Sequence, residues 1–550
     1  MNPIIRSRDI ETCYKYGKQL VDFYQKWQGA DEALTERMIA IELHWMDTTE
    51  QLRVVQELYP SLDDAVRRML ENTMAVLVRK LDLAVLQVQK LQDPSSAPRP
   101  GFLHFHRKAK GAKYALLEGS LNAALKELEE WKVRCSLALD LSMRDPNPGI
   151  DKGLKESREI QHKQVTRGGV LGAGRGRRHG SPLSLTGGIR EALQPPGKPP
   201  SVFLPNASFE TSAILFSRAR TAWKRSSTKA TRWFILDTLP CRPGTNHHAL
   251  NNDVRELAQK LKRADPFAFG LLNCKGIMRV FKEGPQVSLV GFNLVFNGPE
   301  QTDPEQLQSL RVMLLVPNGT LSLSRRVRLA QELAISVSYV HTFNFVHKNI
   351  CPESVLIFKE GLSAQLDRAI VSTTATSTTI TTSRRSSFLI GFESFRSASG
   401  ATNMMGDQDW AHNIYRHPDR MGEYPAEEYK MQHDIYSLGV CLLEIGLWEP
   451  LVIYSSSGVN PTPEYSSLVR NFISTKKYWS LFKDYLVVLA QTELPRRMGN
   501  RYTDVVITCL TSLDPDGEFG EQGDISDTNG ILVGVRFIEA IFEQLNEIVL

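Results

Sequence analysis

At 550 residues the chain is too long for one ordinary core, so two to four domains are expected. Hydrophobic content of 42% and charged content of 23% are those of a folded, soluble protein. A net charge of +5 over this length gives no footing for specific nucleic-acid binding, which normally shows as a concentrated basic face.

The seven cysteines are Cys13, Cys135, Cys241, Cys274, Cys351, Cys441 and Cys509, with no CxxC pair among them. Their odd number and wide spacing argue against a secreted disulfide scaffold and a structural zinc site. A reducing, cytoplasmic setting without metal or cofactor is the expectation. The opening "MNPIIRSRDIETC" has no apolar region of a signal peptide, and no run approaches the ~20 apolar residues that span a bilayer.

Residues 1–145 read as a helical bundle. Leu34, Met38, Ile41 and Trp45 step by four, three and four; Val66, Leu70, Leu77, Leu81 and Val88 repeat the pattern, and so do Leu121, Leu125, Leu128 and Cys135. Each set is one apolar stripe on a 3.6-residue period, and such stripes are buried most simply against each other. A helical scaffold or self-association module and a bundle that rearranges on a membrane both need these stripes. "QDPSSAPRPG", Gln92 to Gly101, interrupts the pattern.

Residues 146–200 read as a flexible, basic linker. "RDPNPG" stops the helix, and "TRGGVLGAGRGRRHGSP" and "LQPPGKPP" follow. "GAGRG" at Gly172–Gly176 is not a phosphate loop: no apolar strand leads into it and it lacks the GK[ST] ending.

Beyond residue 200, strand-like runs come first: "SVFLP", "AILFS", "RWFILDTL" and "VSLVGFNLVF", with a helix near Asn252–Arg263. After residue 320 helices dominate, as in "RRVRLAQELAISVSYVHTF", "DIYSLGVCLLEIGLW" and the closing "GVRFIEAIFEQLNEIVL". This predicts an α+β unit over 201–550. The Ser/Thr-rich stretch 371–387 reads as a surface insertion.

Three landmarks in this part resemble a protein kinase. "YVHTFNFVHKNICPESVLIF" resembles the long helix and catalytic loop, "FLIGFESF" the DFG region, and "DIYSLGVCLLEIGLW" the central helix; "YRHP", Tyr415 to Pro418, takes the place of the APE region. The resemblance implies a bilobal α+β fold. It also implies where the chemistry has gone. Phosphoryl transfer needs a carboxylate for the hydroxyl proton, a lysine for phosphate, and an amide and an acid for magnesium. Laid on HRDLxxxN, Asn349 takes the catalytic Asp place, Cys351 that of a further lysine and Ser354 that of the metal-binding Asn. Gly391 falls on the DFG aspartate, with Glu393 an acid two positions along. "TRWFILDTLP", the candidate third strand, has no lysine for Glu256 to meet, and no GxGxxG precedes it. The structural positions persist: His347 and Phe392 fit the hydrophobic stack between lobes, and Asp434 the buried acid that orients the loop backbone, besides the N-cap role open to an acid at the start of an apolar helix.

An N-terminal bundle ahead of such a domain resembles fungal proteins with a HeLo-type or prion-inhibition-and-propagation domain, with "AKYALLEGSLNAALKELEEWKVRCSLAL" as the most similar piece. The resemblance implies a noncatalytic pseudokinase in signalling, heterokaryon incompatibility or regulated cell death, with protein partners or self-association and conditional membrane contact through the bundle. The start departs from HeLo proteins, which carry an apolar N-terminal helix; only Ile4 and Ile5 precede charges here. An active atypical kinase and a plain protein-binding adaptor are the alternatives.

Overall fold

The computed structural model describes residues 7–25, 32–92, 105–167, 182–194, 201–205, 209–224, 232–241, 246–282, 288–299, 302–316, 321–358, 385–397, 409–422, 425, 428–455, 461–475, 478–520 and 530–548. They divide into two compact units, one ending at Arg190 and the next starting at Glu191. The first is helical and the second is mixed α+β.

In the first unit α1 (Ser7–Gln25), α2 (Glu32–Leu58), α3 (Asp64–Gln92) and α4 (Phe105–Ser142) form a four-helix arrangement. α1 packs on α2 and α3, and α4 packs on the same two. The apolar stripes meet in the middle: Ile41 and Trp45, Val66, Leu70, Leu77 and Leu81, and Leu121, Leu128 and Cys135 are all buried, while Leu125 is half-buried. The side chains of Leu34, Met38 and Val88 lie outside the described set. Gln51 ties α2 to α4 by donating to the Lys132 carbonyl at 2.8 Å and Ser136 Oγ at 2.9 Å. No described helix is long and apolar enough to cross a membrane.

The linker expected over 146–200 is corrected. It holds α5 (Pro148–Arg167) and α6 (Pro182–Leu193); residues 168–181 and 195–200 lie outside the described set. "RDPNPG" ends one helix and starts another. Asn147 Oδ1 accepts from the Gly149 amide at 2.8 Å, and Pro148 opens α5, where its missing N–H costs nothing. Gly153 serves close approach, since a Cβ there would stand 2.7 Å from Leu58 Cδ2. Arg190 of α6 pairs with Asp151 at 2.7 Å and donates to the Met143 carbonyl at 2.9 Å, and Thr186 donates to buried Asp140 at 2.6 Å. These bonds fold both helices back onto the end of α4.

The second unit opens with β1 (Glu210–Ala213), β2 (Arg220–Lys224) and β3 (Arg232–Pro240). Helices α7 (His247–Leu261) and α8 (Pro266–Phe269) follow, then β4 (Cys274–Lys282) and β5 (Ser288–Asn297). The five strands make one antiparallel sheet in the order β1-β2-β3-β5-β4. Two strand expectations fail. "SVFLP" contributes only an isolated bridge at Phe203, and "AILFS" gives only Ala213 to β1, its other four residues lying in the turn between β1 and β2. The sheet already buries Ala222, Phe234, Leu236 and Val295, and Leu215 of that turn stands exposed. α7 starts before the expected Asn252 because the Asn246 side chain caps it, accepting from the His248 and Ala249 amides.

β6 (Leu307–Ser309), α9 (Leu310–Leu314), α10 (Leu323–Thr342), β7 (Phe345–Val346), β8 (Val355–Phe358), β9 (Ser387–Leu389) and β10 (Arg396–Ser397) come next. β6, β8 and β9 form a three-stranded sheet and β7 pairs with β10. The expected insertion 371–387 ends earlier than its composition indicates, because Ser387 opens β9 and Ser386 is anchored beside it; residues 371–384 lie outside the described set. Then come α11 (Trp410–Asn413), α12 (Met431–Leu447), β11 (Val452–Tyr454), β12 (Pro463–Tyr465), α13 (Ser467–Thr475), α14 (Phe482–Met498), α15 (Asn500–Leu510) and α16 (Ile531–Phe537). α12 is buried all round from Ile435 to Leu447, Glu444 included, and packs against α10, α14 and α15.

Candidate functional site

Asp434 lies in the first turn of α12 and is fully buried. Its carboxylate accepts from the His347 amide at 2.7 Å, the Lys348 amide at 2.9 Å and Tyr429 OH at 2.7 Å, and meets His341 Nε2 at 3.1 Å. Burial pushes its pKa up, but the hydrogen bond and charge of His341 and the His347 contacts outweigh it and hold the carboxyl below the ordinary range. Lys348 adopts a left-handed φ of 65°, which two amides converging on one carboxylate compensate.

His347 is buried with its ring centroid 4.9 Å from that of Phe392. Burial lowers its pKa to about 4, against the upward pull of Asp434 and the Ile390 carbonyl, so the imidazole is neutral at physiological pH.

The four positions read as degenerate come together. Asn349 Nδ2 donates to the Gly391 carbonyl at 3.1 Å. The Cys351 thiol lies 3.8 Å from the carbonyl and side-chain oxygens of Asn349, and burial raises its pKa so that it stays protonated. Ser354 Oγ donates to the Cys351 carbonyl at 2.8 Å and accepts from its amide at 3.2 Å, while the Ser354 carbonyl accepts from Ile390 N at 2.9 Å. Gly391 has φ +88°, and a Cβ on it would stand 2.9 Å from Ser354 Cβ and 3.0 Å from Asn349 Nδ2. The loop and the Gly391 segment therefore use their polar groups on each other.

A fifth residue, the acid within "TRWFILDTLP", closes the set. Asp237 projects from β3 with 1% exposure, and its Oδ2 accepts from both the Gly391 and Phe392 amides at 2.9 Å. Burial raises its pKa to about 6; the two amides and Arg218 pull it down, and Glu393 adds to the rise. Glu393 itself is 4% exposed in its side chain and pairs with Arg218 of the β1–β2 turn. The same turn is held at two more points: Ser309 Oγ donates to the Leu215 carbonyl at 2.8 Å, and Phe216 lies on Tyr454 at 4.4 Å. Glu256 pairs locally with Lys260 at 2.7 Å, and Lys260 Nζ donates to the Phe343 carbonyl at 2.8 Å.

A second buried cluster escaped the sequence reading. Arg311 of α9 donates to Glu353 at 2.7 Å, to Glu444 of α12 at 3.1 Å and to the Val452 carbonyl at 3.0 Å, and also bonds Tyr415 OH. The available signal was a lone charge within an apolar run, in "SLRVML" for Arg311, "LLEIGL" for Glu444 and "FILD" for Asp237. Such charges are buried only with partners. Among the described residues no group of three or more His, Cys, Asp or Glu side chains is placed to hold a metal ion.

Asp237 gives a test with a pH signature. One carboxylate oxygen takes both amides, so Asp237→Asn keeps the acceptor and removes the buried charge. A folded pKa raised to about 6 penalises the ionised form; the penalty is full above pH 6 and fades as pH falls from there to the unfolded value near 3.9. Asp237→Asn is therefore expected to stabilise by about 3 kcal/mol at pH 8, by about half as much at pH 5, and by nothing below about pH 3.5. Asp237→Ala, which strands two buried amides, destabilises throughout by about 2–3 kcal/mol. Urea unfolding at pH 5, 6.5 and 8 checks this, and an advantage of Asn that grows on acidification contradicts it.

No family model matches the chain, and a search of curated proteins found no match.

Proposed function

We propose that residues 201–550 act as a protein-kinase-like signalling module that does not transfer phosphate, a pseudokinase, and that it governs the preceding helical bundle as a HeLo-like effector in the cytoplasm. The observation that carries the reading is the use of Asn349, Ser354 and Gly391. At these places a kinase keeps groups for the base and for metal, and here they are bonded to each other and to the loop backbone. Asp237, an acid on the third strand, stands where the reading seeks a phosphate-binding lysine. The succession of a strand-rich part carrying one long helix and then a mainly helical part supports the kinase-like reading, as do the Asp434 bonds to the loop amides.

Titration of the full chain with a fluorescent ATP analogue, with and without magnesium, is expected to show no saturable binding up to ~1 mM, a weak-affinity limit of about −4 kcal/mol. No phosphate transfer is expected from the wild type or from Asn349→Asp, since the other groups remain absent. Magnesium-dependent binding abolished by Glu393→Gln would reverse the assignment. The effector half of the reading rests on the bundle's resemblance and is tested with vesicles. Residues 1–194 alone are expected to release an entrapped dye several-fold faster than the full chain, by removal of a restraining state. Equal rates would remove the restraint.

A further inference from the structure

A recess lies where the Ser/Thr-rich stretch rejoins the described fold. It is shallow and partly open to solvent, with a volume of about 10 Å³, and is lined by Met313, Leu329, Ile357, Arg325, Arg328 and Ser386 among others. Both arginines belong to the first turns of α10, capped by Ser322, whose Oγ accepts from the Arg325 amide at 3.4 Å. Ser386 is half-buried, whereas Ser387 is 1% exposed.

The serines are held by one acid. Glu332 of α10 accepts from the Ser386 amide at 3.2 Å, Ser386 Oγ at 3.3 Å, the Ser387 amide at 2.9 Å and Ser387 Oγ at 2.7 Å. Arg328 Nε meets the same carboxylate at 3.0 Å. Arg385 is pinned next to it, donating to the Glu332 carbonyl at 2.7 Å and the Phe267 carbonyl at 3.1 Å. Arg325 and Arg328 thus share the recess with Ser386, Arg385 precedes it in the chain, and Glu332 is the one carboxylate bonded to Ser386 Oγ. The helix N-terminus adds a field of the same sign as the guanidiniums.

We propose that Ser386 is a phosphorylation site and that its phosphate seats in this recess on Arg325 and Arg328. A separate, arginine-directed protein kinase would act on it, since Arg384 and Arg385 immediately precede the serine. The γ-phosphoryl group of ATP passes to Ser386 Oγ. The bond from the γ-phosphorus to the bridging oxygen breaks to leave ADP, and the hydroxyl proton goes to the acting kinase's base. Phosphoserine brings about two negative charges and three strong acceptor oxygens, which opposite an arginine cluster form charge-assisted bonds. The Ser386 and Ser387 amides keep Glu332 as acceptor, so the register of β9 is retained and the chain entering it is clamped to α10. β9 leads directly to Gly391, so the clamp acts on the segment that Asp237 and Asn349 hold. The inference stands independently of the kinase-like reading, because it needs only the recess and its charges.

The full chain is treated with an arginine-directed protein kinase and ATP, and the sites are located by peptide mass spectrometry. Phosphate is expected at Ser386 and absent from that peptide in Ser386→Ala. The ³¹P resonance of the Ser386 phosphate is then titrated. Its midpoint is expected below the value of about 6 for a solvated phosphoserine, and Arg325→Gln or Arg328→Gln, made singly so that one substitution tolerated by the fold suffices, is expected to raise it. No incorporation at Ser386, incorporation at Ser387 instead, a midpoint at or above about 6, or a midpoint indifferent to both arginines overturns the proposal.

Discussion

Asp434→Ala is expected to destabilise the second unit by about 3–5 kcal/mol, against about 1 kcal/mol for Asn349→Ala. The difference follows from what each side chain leaves behind. Removing Asp434 takes the carboxylate acceptor from two backbone amides, a tyrosine hydroxyl and a histidine, all inside the core. It also removes the carboxylate that accepts from the amide of left-handed Lys348, φ 65°. Removing the Asn349 side chain costs one bond to a carbonyl. Asp434→Asn separates charge from shape, since an amide offers one acceptor oxygen where the carboxylate uses two; it is expected to lie between the alanine variant and wild type.

Acid gives the same site a signature. The folded pKa of Asp434 is depressed, so its contribution is present above the unfolded value near 3.9 and lost as pH falls through the folded one. His347 titrates first. With a folded pKa of about 4 against an unfolded value near 6.5, it takes up its proton in the unfolded chain before the folded one, so stability declines as pH falls from about 6.5 to about 4. Native-state hydrogen exchange of peptides covering 340–351 reads both effects. Equal loss of protection in Asp434→Ala and Asn349→Ala contradicts the ranking.

The bundle of the first unit was legible because period is a property of sequence: Val66, Leu70, Leu77 and Leu81 share one face of a helix but fall on opposite faces of a strand. Its end was not. Proline and glycine near 146–153 carry two meanings, stop and start, and which applies depends on partners far away in the chain. Pro148 opens a helix because Asn147 caps it, and Asn147 also donates to the Ser61 carbonyl, 86 positions back. Composition holds no such information. The turn made by "AILFS" failed for a related reason. Its apolar residues are suited to a strand, but Phe216 finds Tyr454, on a strand more than two hundred residues later.

At the site, the reading of the loop stretch "VHKNICPESVLIF" depended on a resemblance, and it identified which groups were missing more readily than what had replaced them. Asn349, Cys351 and Ser354 look like vacant positions in the sequence. In three dimensions their polar atoms are spent on each other and on the Gly391 segment. Asp237 was hidden because an acid on a strand normally faces solvent, and only the sheet register and the approach of Gly391 show that it does not. Ser386 was hidden by low complexity, which reads as loop wherever it ends.

Arg311 carries the other large effect. It is fully buried, and its guanidinium reaches Glu353, Glu444, Tyr415 and the Val452 carbonyl at once. The two acids are unlike. Burial pushes both upward, but Arg311 holds Glu353 below the ordinary range, while Glu444 remains above it and accepts from Tyr415 and the Leu451 amide. Arg311 thus pairs with both acids, more closely with Glu353 at 2.7 Å than with Glu444 at 3.1 Å. Arg311→Met, which strands the ionised Glu353, is expected to cost about 3–5 kcal/mol at pH 7.5. The stranded carboxyl then has a folded pKa above its unfolded value near 4.3, so the penalty is full above the folded pKa and is relieved as pH falls from there towards about 4.3. Arg311→Lys recovers little, because an ammonium lacks the planar fork that spans separate acceptors. Arg311→Met with Glu353→Leu removes both charges and is expected to regain at least half of the loss, a coupling of about 2 kcal/mol in a double-mutant cycle. Urea unfolding of the four proteins measures it, and additive effects of the two substitutions would show that Arg311 is held by its neutral partners instead.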